Sequence, residues 1–241
     1  MRPVRRCPAL AAMAALALGA CGEGQTRDEP TRHPVGLYTS LPIVWAETGE
    51  LSGLLDAEAP RHWAMDVLER HGAVIPLDDL AGKDDKLPLP VRSLLVIAQP
   101  RPLSPQENVA LDAWVRSGGR VLLFADPMLT ADSAFGLGDM RRPQDVVLVS
   151  PILSRWGLEL QFDDMQPAGE RIESVSGSAI PVNLAGRFAI IGNSAGCAVL
   201  GEGLAARCRI GAGEVLALAD AALWEDAPAE AVAKRRDALE S

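Results

Sequence analysis

Histidine is scarce: His33, His62 and His71 are the only three, all in the first third of the 241-residue chain. A nucleophilic site that needs an imidazole base has only these to draw on. None has metal-ligand spacing. His62 and Asp66 instead suit an i,i+4 pair on a helix, and His71 suits that helix's C-terminal end. Cysteine is limited to Cys7, Cys21, Cys197 and Cys208, with no Cys-x-x-Cys, so a dithiol redox motif is absent. Past the first twenty residues no run approaches 18 apolar residues, which excludes a spanning helix there. The Asp78, Asp79, Asp84 and Asp85 loop lacks the calcium-loop pattern. Gly136-x-Gly138 does not open a helix after a strand, so it is no dinucleotide fingerprint. No cofactor and no metal are expected. Basic residues are outnumbered 23 to 32, for a net charge of −9, which argues against nucleic acid or anionic lipid as the main partner. What is present, 48% hydrophobic and 23% charged residues, is enough for one ordinary core.

The N-terminus carries an address. Arg2, Arg5 and Arg6 form a basic region and Pro8 to Ala20 a short apolar one. The run ends Leu18-Gly19-Ala20-Cys21, which resembles the lipobox of bacterial lipoproteins. That resemblance implies cleavage after residue 20 and lipid on Cys21, a firm membrane anchor when several acyl chains share one residue. The alternative is an ordinary secretory signal with an incidental cysteine. Loss of residues 1–20 removes three arginines and takes the net charge from −9 to −12. In that family an Asp after the cysteine favours inner-membrane retention. Gly22 stands here, so the outer membrane is slightly favoured over the inner. Residues 21–33 (CGEGQTRDEPTRH) read as a polar tether.

With Cys7 in the signal and Cys21 lipidated, Cys197 and Cys208 remain in an oxidising compartment. They flank a turn signal at Glu202-Gly203. A two-residue hairpin loop there sets the two cysteines opposite each other, so a cross-strand disulfide is geometrically open to them, worth roughly 2–3 kcal/mol. Two buried free thiols are the alternative.

The body, 34–225, reads as a single α/β domain. Val35 to Trp45 is β-rich. Residues 60–71 read as a helix with Pro60 in the first turn and Gly72 at the cap. Ala73 to Leu77 is a short strand, and Ser93 to Gln99 a continuous apolar one, as for a strand covered on both faces. Ser104-Pro105-Gln106-Glu107 is a capping box opening a helix to Ser117, with Asn108, Asp112 and Arg116 on the polar face and Val109, Ala110, Ala113 and Trp114 on the buried one. Gly118-Gly119 ends it, and Arg120 to Asp126 is the next strand. Strand, helix, strand over short connections implies a right-handed parallel crossover. The expected fold is a three-layer, mostly parallel sheet with helices on both faces, closed by a C-terminal β-hairpin. Residues 128–145 read as a long loop, Val146 to Trp156 as a helix, Leu158 to Phe162 as a strand and 163–186 as a polar, glycine-rich stretch. After Phe188 to Ile191 and the cysteine hairpin, Glu214 to Asp220 is the final strand. Residues 226–241 are a helical or frayed tail.

The segment LLVIAQPRPLSPQENVALDAWVRSGGRVLLFADP, with the closing RCRIGAGEVLALADAALW, resembles the class I glutamine-amidotransferase-like fold. More narrowly it resembles the periplasmic domain of gliding-motility-type ABC-transporter auxiliary proteins and related DUF4350-like domains. The likeness covers roughly residues 34–225. In catalytic members the strand after the Gly-Gly ends in an elbow bearing a cysteine between glycines. Here Ala125-Asp126-Pro127 stands at that point, and Pro127 removes an N–H that an oxyanion hole could use. The late strand ends Ala219-Asp220-Ala221-Ala222 with no histidine after it. Amidotransfer is therefore not expected.

What remains at the carboxyl edge, where ligands of open α/β sheets bind, is Asp126 and Asp220. Gln99, Arg141 and Arg142 are candidates to join a ligand site there. The competing reading makes each aspartate a helix cap and the arginines clamps on neighbouring acids. The resemblance implies a non-catalytic, periplasm-facing lipoprotein, an accessory or ligand-binding component of an ABC-type transport or export system. Its partners would be the membrane through lipid, permease or ATPase subunits or other envelope proteins, and no nucleic acid. Auxiliary relatives usually carry transmembrane helices; the resemblance to a lipoprotein signal implies that lipid on Cys21 would replace that anchor. The alternatives are an envelope hydrolase using Asp126 and Asp220, or a structural module of envelope assembly.

Overall fold

The computed structural model describes residues 33–45, 47, 61–192, 196–225 and 227–240. The signal segment, Cys21, the tether up to residue 32, Gly49, Gly53 and Pro60 lie outside the described residues.

Seven strands form the main sheet: β1 (Val35–Thr39), β2 (Val74–Pro76), β3 (Leu94–Ala98), β4 (Arg120–Phe124), β9 (Cys197–Leu200), β10 (Ala205–Ile210) and β11 (Gly213–Leu218), in the order β2-β1-β3-β4-β11-β10-β9. The five from β2 to β11 are parallel, and only β10 runs against the rest. Their apolar runs suit burial on both faces: Leu95, Val96, Ile97, Val121 and Leu123 are all within a few per cent of full burial.

Helices α1 (Trp63–His71) and α2 (Pro105–Arg116) take opposite faces. In-register partners share a face, so Tyr38, Ile97 and Leu123 point one way and Thr39, Ala98 and Phe124 the other. α2 lies on the Tyr38 side, where the Tyr38 hydroxyl donates to Glu107 and Trp114 Nε1 donates to Leu89 O at 3.0 Å. α1 lies on the Phe124 side, its Trp63 stacked on Trp224, which meets Phe124 edge-on. Helix α3 (Ser150–Trp156) packs beside α2, and α4 (Ala229–Glu240) beside α1 through Arg70–Glu240 and Arg236–Asp66. The three-layer expectation holds, and residues 229–240 are a packed helix rather than a frayed tail.

The capping box is complete: Glu107 N donates to Ser104 Oγ, and Ser104 N donates to Glu107 Oε2. Gly118 takes a left-handed φ of +115°, and a Cβ on Gly119 would run into the Trp114 ring. Several sequence expectations are corrected. Asp112 is not on a solvated face: it is 2% exposed and accepts from Arg116, Arg155 and Trp156, because α3 covers that side of α2. Val109 is 67% exposed for the same reason in reverse, and Ala113 is exposed. His62 caps the helix, its Nδ1 accepting from Ala64 N and its Nε2 lying 3.0 Å from Trp224 O, while Asp66 pairs with Arg61 and Arg236. Gly72 is extended, not left-handed; it is glycine because a Cβ would meet His33 O.

The 163–186 stretch is not plain loop. It holds a hairpin, β6 (Arg171–Val175) with β7 (Ser178–Val182), while β5 (Leu158–Gln161) pairs with β8 (Arg187–Ile190). The cysteine hairpin forms in the expected register, Cys197 opposite Cys208, and the disulfide is present. Its turn is wider than the two residues expected: Gly201–Gly203 form a 3-10 turn and Leu204 precedes β10.

Candidate functional site

Strands β1, β3, β4 and β11 deliver Ser40, Gln99, Asp126 and Asp220 to one edge of the sheet, just past their carboxyl ends. The order reverses between β1 and β3, since β1 leads to β2 on one side while β3 leads to β4 on the other. A crevice opens at such a point.

Gln99 follows β3 at a φ of +42°, rare for a residue with a side chain. Its bonds hold it there. Its N–H donates to Phe124 O at 3.0 Å, and its carbonyl accepts from Ser40 N and Ser40 Oγ. Its amide donates to Asp126 O and Gln144 O and accepts from Asp126 N, at 3.1, 2.7 and 3.0 Å. Fully buried, with its polar atoms committed, it clasps three segments of backbone together.

Asp126 and Asp220 are likewise fully buried. Asp126 Oδ1 accepts from Met128 N at 2.8 Å and Oδ2 from Ala221 N at 3.1 Å. Asp220 Oδ1 accepts from Ala222 N at 2.6 Å and Oδ2 from Asn183 N at 2.9 Å. Asp220 does not cap the 3-10 turn Ala222–Trp224, whose N-cap is Ala221 without a side-chain bond; its Oδ1 closes a two-residue turn on Ala222. Asp126 likewise closes a two-residue turn on Met128, and no helix follows Pro127 directly. Burial pushes the Asp126 carboxyl up to about 6, against the pull of the Met128 and Ala221 N–H groups and with a smaller push from Glu225. Burial, then the charge of Asp126, holds Asp220 well above the usual carboxylate range. Glu225, raised by burial, extends the group: Thr130 donates to Glu225, and Asn183 Nδ2 donates to Thr130. Sequence reasoning missed Thr130, Asn183 and Glu225, which lie far apart along the chain and carry no motif.

Arg141 and Arg142 stand elsewhere on the edge. With Thr39, Ser40, Arg101 and Gln144 they line a cavity of about 340 Å3 above β1. Each guanidinium is held from behind. Arg141 donates from Nε and Nη2 to the two oxygens of Asp139 and lies 4.2 Å over the Phe135 ring. Arg142 donates to Asp145 and to Phe135 O. Arg101 donates to both oxygens of Glu107 and to Asp78 O, beside the Tyr38 ring. Burial works against ionised Glu107, but the Ser104 N–H, Arg101 and the Leu80 N–H bring its carboxyl down to about 2. The clamp reading of the arginine pair is met, and both residues also border open space.

The five sequence candidates thus divide. Arg141 and Arg142 share a cavity; Gln99, Asp126 and Asp220 form a sealed core behind it. Arg101 was missed, although an arginine between Pro100 and Pro102 just past a buried strand was a visible signal. A hollow of about 370 Å3 lies against the antiparallel strands, where Arg171 and Arg187 turn onto Glu173. Among the described residues no group of His, Cys, Asp or Glu is arranged to hold a metal, and no helix is long and apolar enough to cross a membrane.

Residues 73–167 match the model of a family described as an ABC-type uncharacterized transport system. No curated protein matches the chain. Similar solved structures include the exo-β-1,4-mannosidase Op5Man5 from Opitutaceae bacterium strain TAV5, at 18% identity and TM-score 0.45 over 78% of this chain and 31% of that one. A β-galactosidase from Bacillus circulans sp. alkalophilus aligns at 13% identity and TM-score 0.47, over 86% of this chain and 30% of that one. The chain spans under a third of the length of either enzyme.

Proposed function

We propose that this chain is an auxiliary component of an ABC-type transport system, a binding rather than a catalytic part, held to the membrane by lipid on Cys21 and facing the periplasm. The observation that carries the reading is the family match over residues 73–167, which contains Arg101, Arg141 and Arg142 of the cavity. The amidotransferase-like character of the fold belongs to the same reading and rests on the strand-helix-strand pattern around the capping box.

Binding is favoured over catalysis by the state of the edge. Asp126 and Pro127 occupy the point where amidotransferase relatives bear a cysteine. The hydrolase alternative needs two carboxylates with oxygens turned to substrate. Here both oxygens of Asp126 and of Asp220 accept from backbone N–H groups, and neither side chain meets solvent.

The test is affinity isolation of the tagged full chain from solubilised envelopes, with mass spectrometry of what is retained. Permease and ATPase subunits are expected, together with loss of membrane association in a Cys21→Ser variant. Outer-membrane proteins alone, or nothing, would overturn the transport assignment.

A further inference from the structure

We propose that the cavity above β1 is a binding site for a small oxyanion, a carboxylate- or phosphate-bearing molecule received by Arg141 and Arg142 with Arg101 at the wall. The proposal rests on the reading of the chain as a binding component and names its ligand chemistry.

Three observations carry it. The first is place: the cavity sits where the strand order reverses, and its floor is the end of β1, so rigid backbone positions the site. The floor is polar and neutral, because Ser40 Oγ donates to Gln99 O and accepts from Gln144 N.

The second is charge. In a chain with 32 acids and 23 bases, three arginines from two separate segments converge on one opening. Arginine offers a planar fork that matches carboxylate and phosphate oxygens. Asp139, Asp145 and Glu107 hold these forks from outside the opening, and the Phe135 and Tyr38 rings support two of them. Side chains fixed before the ligand arrives lose less freedom on binding.

The third is what is left unspent. Arg141 commits Nε and Nη2 to Asp139, leaving Nη1 without a partner among the described residues. The Gln144 side-chain amide makes no hydrogen bond among them either, while its backbone is engaged on both sides. Gln99, Asp126 and Asp220 are the contrast: they have nothing left to offer. The clamping carboxylates and Asp78 at the wall offset much of the positive charge, so recognition is by geometry and suits a small monoanion or dianion rather than a polyanion. A volume of about 340 Å3 agrees with a small organic molecule and not with a dinucleotide.

Calorimetric titration of the detergent-solubilised full chain tests it, with inorganic phosphate in one arm and succinate in the other, in low-chloride buffer. One-to-one binding of at least one probe is expected. Arg141→Ala is expected to weaken it about tenfold, the cost of one charge-assisted bond. Arg142→Lys, which keeps the charge and loses the fork, is expected to weaken it as well. Arg61→Ala, on an exposed ion pair of α1, is the control and leaves binding unchanged. Binding of phosphate alone points to a phosphorylated ligand, and of succinate alone to an organic acid; both support the site. No binding of either probe, or binding that Arg141→Ala leaves intact, overturns it. If binding is absent while transporter subunits still co-purify, the anion site fails and the auxiliary reading stands. If the anion binds and no subunits are retained, the reverse holds.

Discussion

Two halves of one sheet edge handle polar groups in opposite ways. Above β4 and β11, Asp126 and Asp220 turn inward and accept from four backbone N–H groups, with Gln99 past β3 tying the Asp126 backbone to Gln144. Above β1, three guanidiniums turn toward space and are braced from behind. Both halves meet the general expectation for a ligand edge in an α/β sheet. Only the second keeps donors unspent. Polar residues past a strand therefore mark a site only when their hydrogen bonds are not already taken by the backbone they sit on.

The sealed half breaks most sharply at Gln99. Gln99→Ala leaves the buried Asp126 N and the half-buried Gln144 O without a partner, while Asp126 O keeps the Val147 N–H. At about 1–3 kcal/mol for the buried N–H left unpaired, with a smaller cost at Gln144 O and for the space vacated, a loss of about 2–4 kcal/mol is expected. Urea unfolding of the variant measures it. A loss under about 1 kcal/mol would mean that the clasp is not holding the edge.

Next in size is a pH effect. Unfolded aspartate titrates near 3.9, while folded Asp126 is raised to about 6 and Asp220 is raised as well, both first by burial. Between those values folded Asp126 holds a proton that the unfolded chain has lost, so its contribution falls as pH rises from about 4 to 6, and Asp220 acts in the same direction. A shift of this size corresponds to about 2–3 kcal/mol. Glu107, lowered to about 2, acts with the opposite sign and removes stability only below about pH 4. Chemical unfolding at pH 4.5 and pH 7.5 is expected to show the greater stability at pH 4.5. Asp126→Asn, which keeps an acceptor and loses the charge, is expected to flatten that difference.

On the open half, Arg101→Ala removes one brace. Glu107 keeps Ser104 N, Leu80 N and the Tyr38 hydroxyl, so its burial stays compensated. A loss of about 1 kcal/mol is expected, by thermal unfolding.

How much of this was readable depends on where the deciding contact lies. β3, α2 and β4 were legible because their signals are local: a continuous apolar run, a capping box, a Gly-Gly stop. The β6–β7 hairpin was not, since Ile172 and Val175, separated by Glu173 and Ser174, fall on opposite faces of a half-exposed ribbon and give no period-two pattern. A local signal existed there: Ser176 and Gly177 both take positive φ, at 52° and 96°, the two-residue hairpin turn that a Ser-Gly pair permits. Asp112 was unreadable for another reason. Its partners Arg155 and Trp156 are over forty residues away, and nothing along α2 announces that α3 covers it. At the edge, Gln99, Asp126 and Asp220 were read as the last residues of their strands and stand one or two residues past them, but whether their polar atoms were spent depended on backbone groups of distant segments.

The smallest structural effect sharpens the comparison best. Arg141 is an exposed side chain whose ion pair with Asp139 spans only two residues. Such pairs contribute little, because solvent screens them and ordering two side chains costs entropy. Arg141→Ala is therefore expected to leave the midpoint of thermal unfolding unchanged within error. Gln99→Ala at the same sheet edge costs more, because Asp126 N is fully buried and has no other partner. If the open half is a site, the ranking inverts for binding: Arg141→Ala weakens the anion while the fold is unmoved, and Asp126→Asn leaves the anion's affinity as it was. Thermal unfolding and calorimetry on the same two variants read both rankings. Equal losses of stability at Arg141 and Gln99 would mean that the guanidinium is structural too, and the division of the edge into sealed and open halves would not hold.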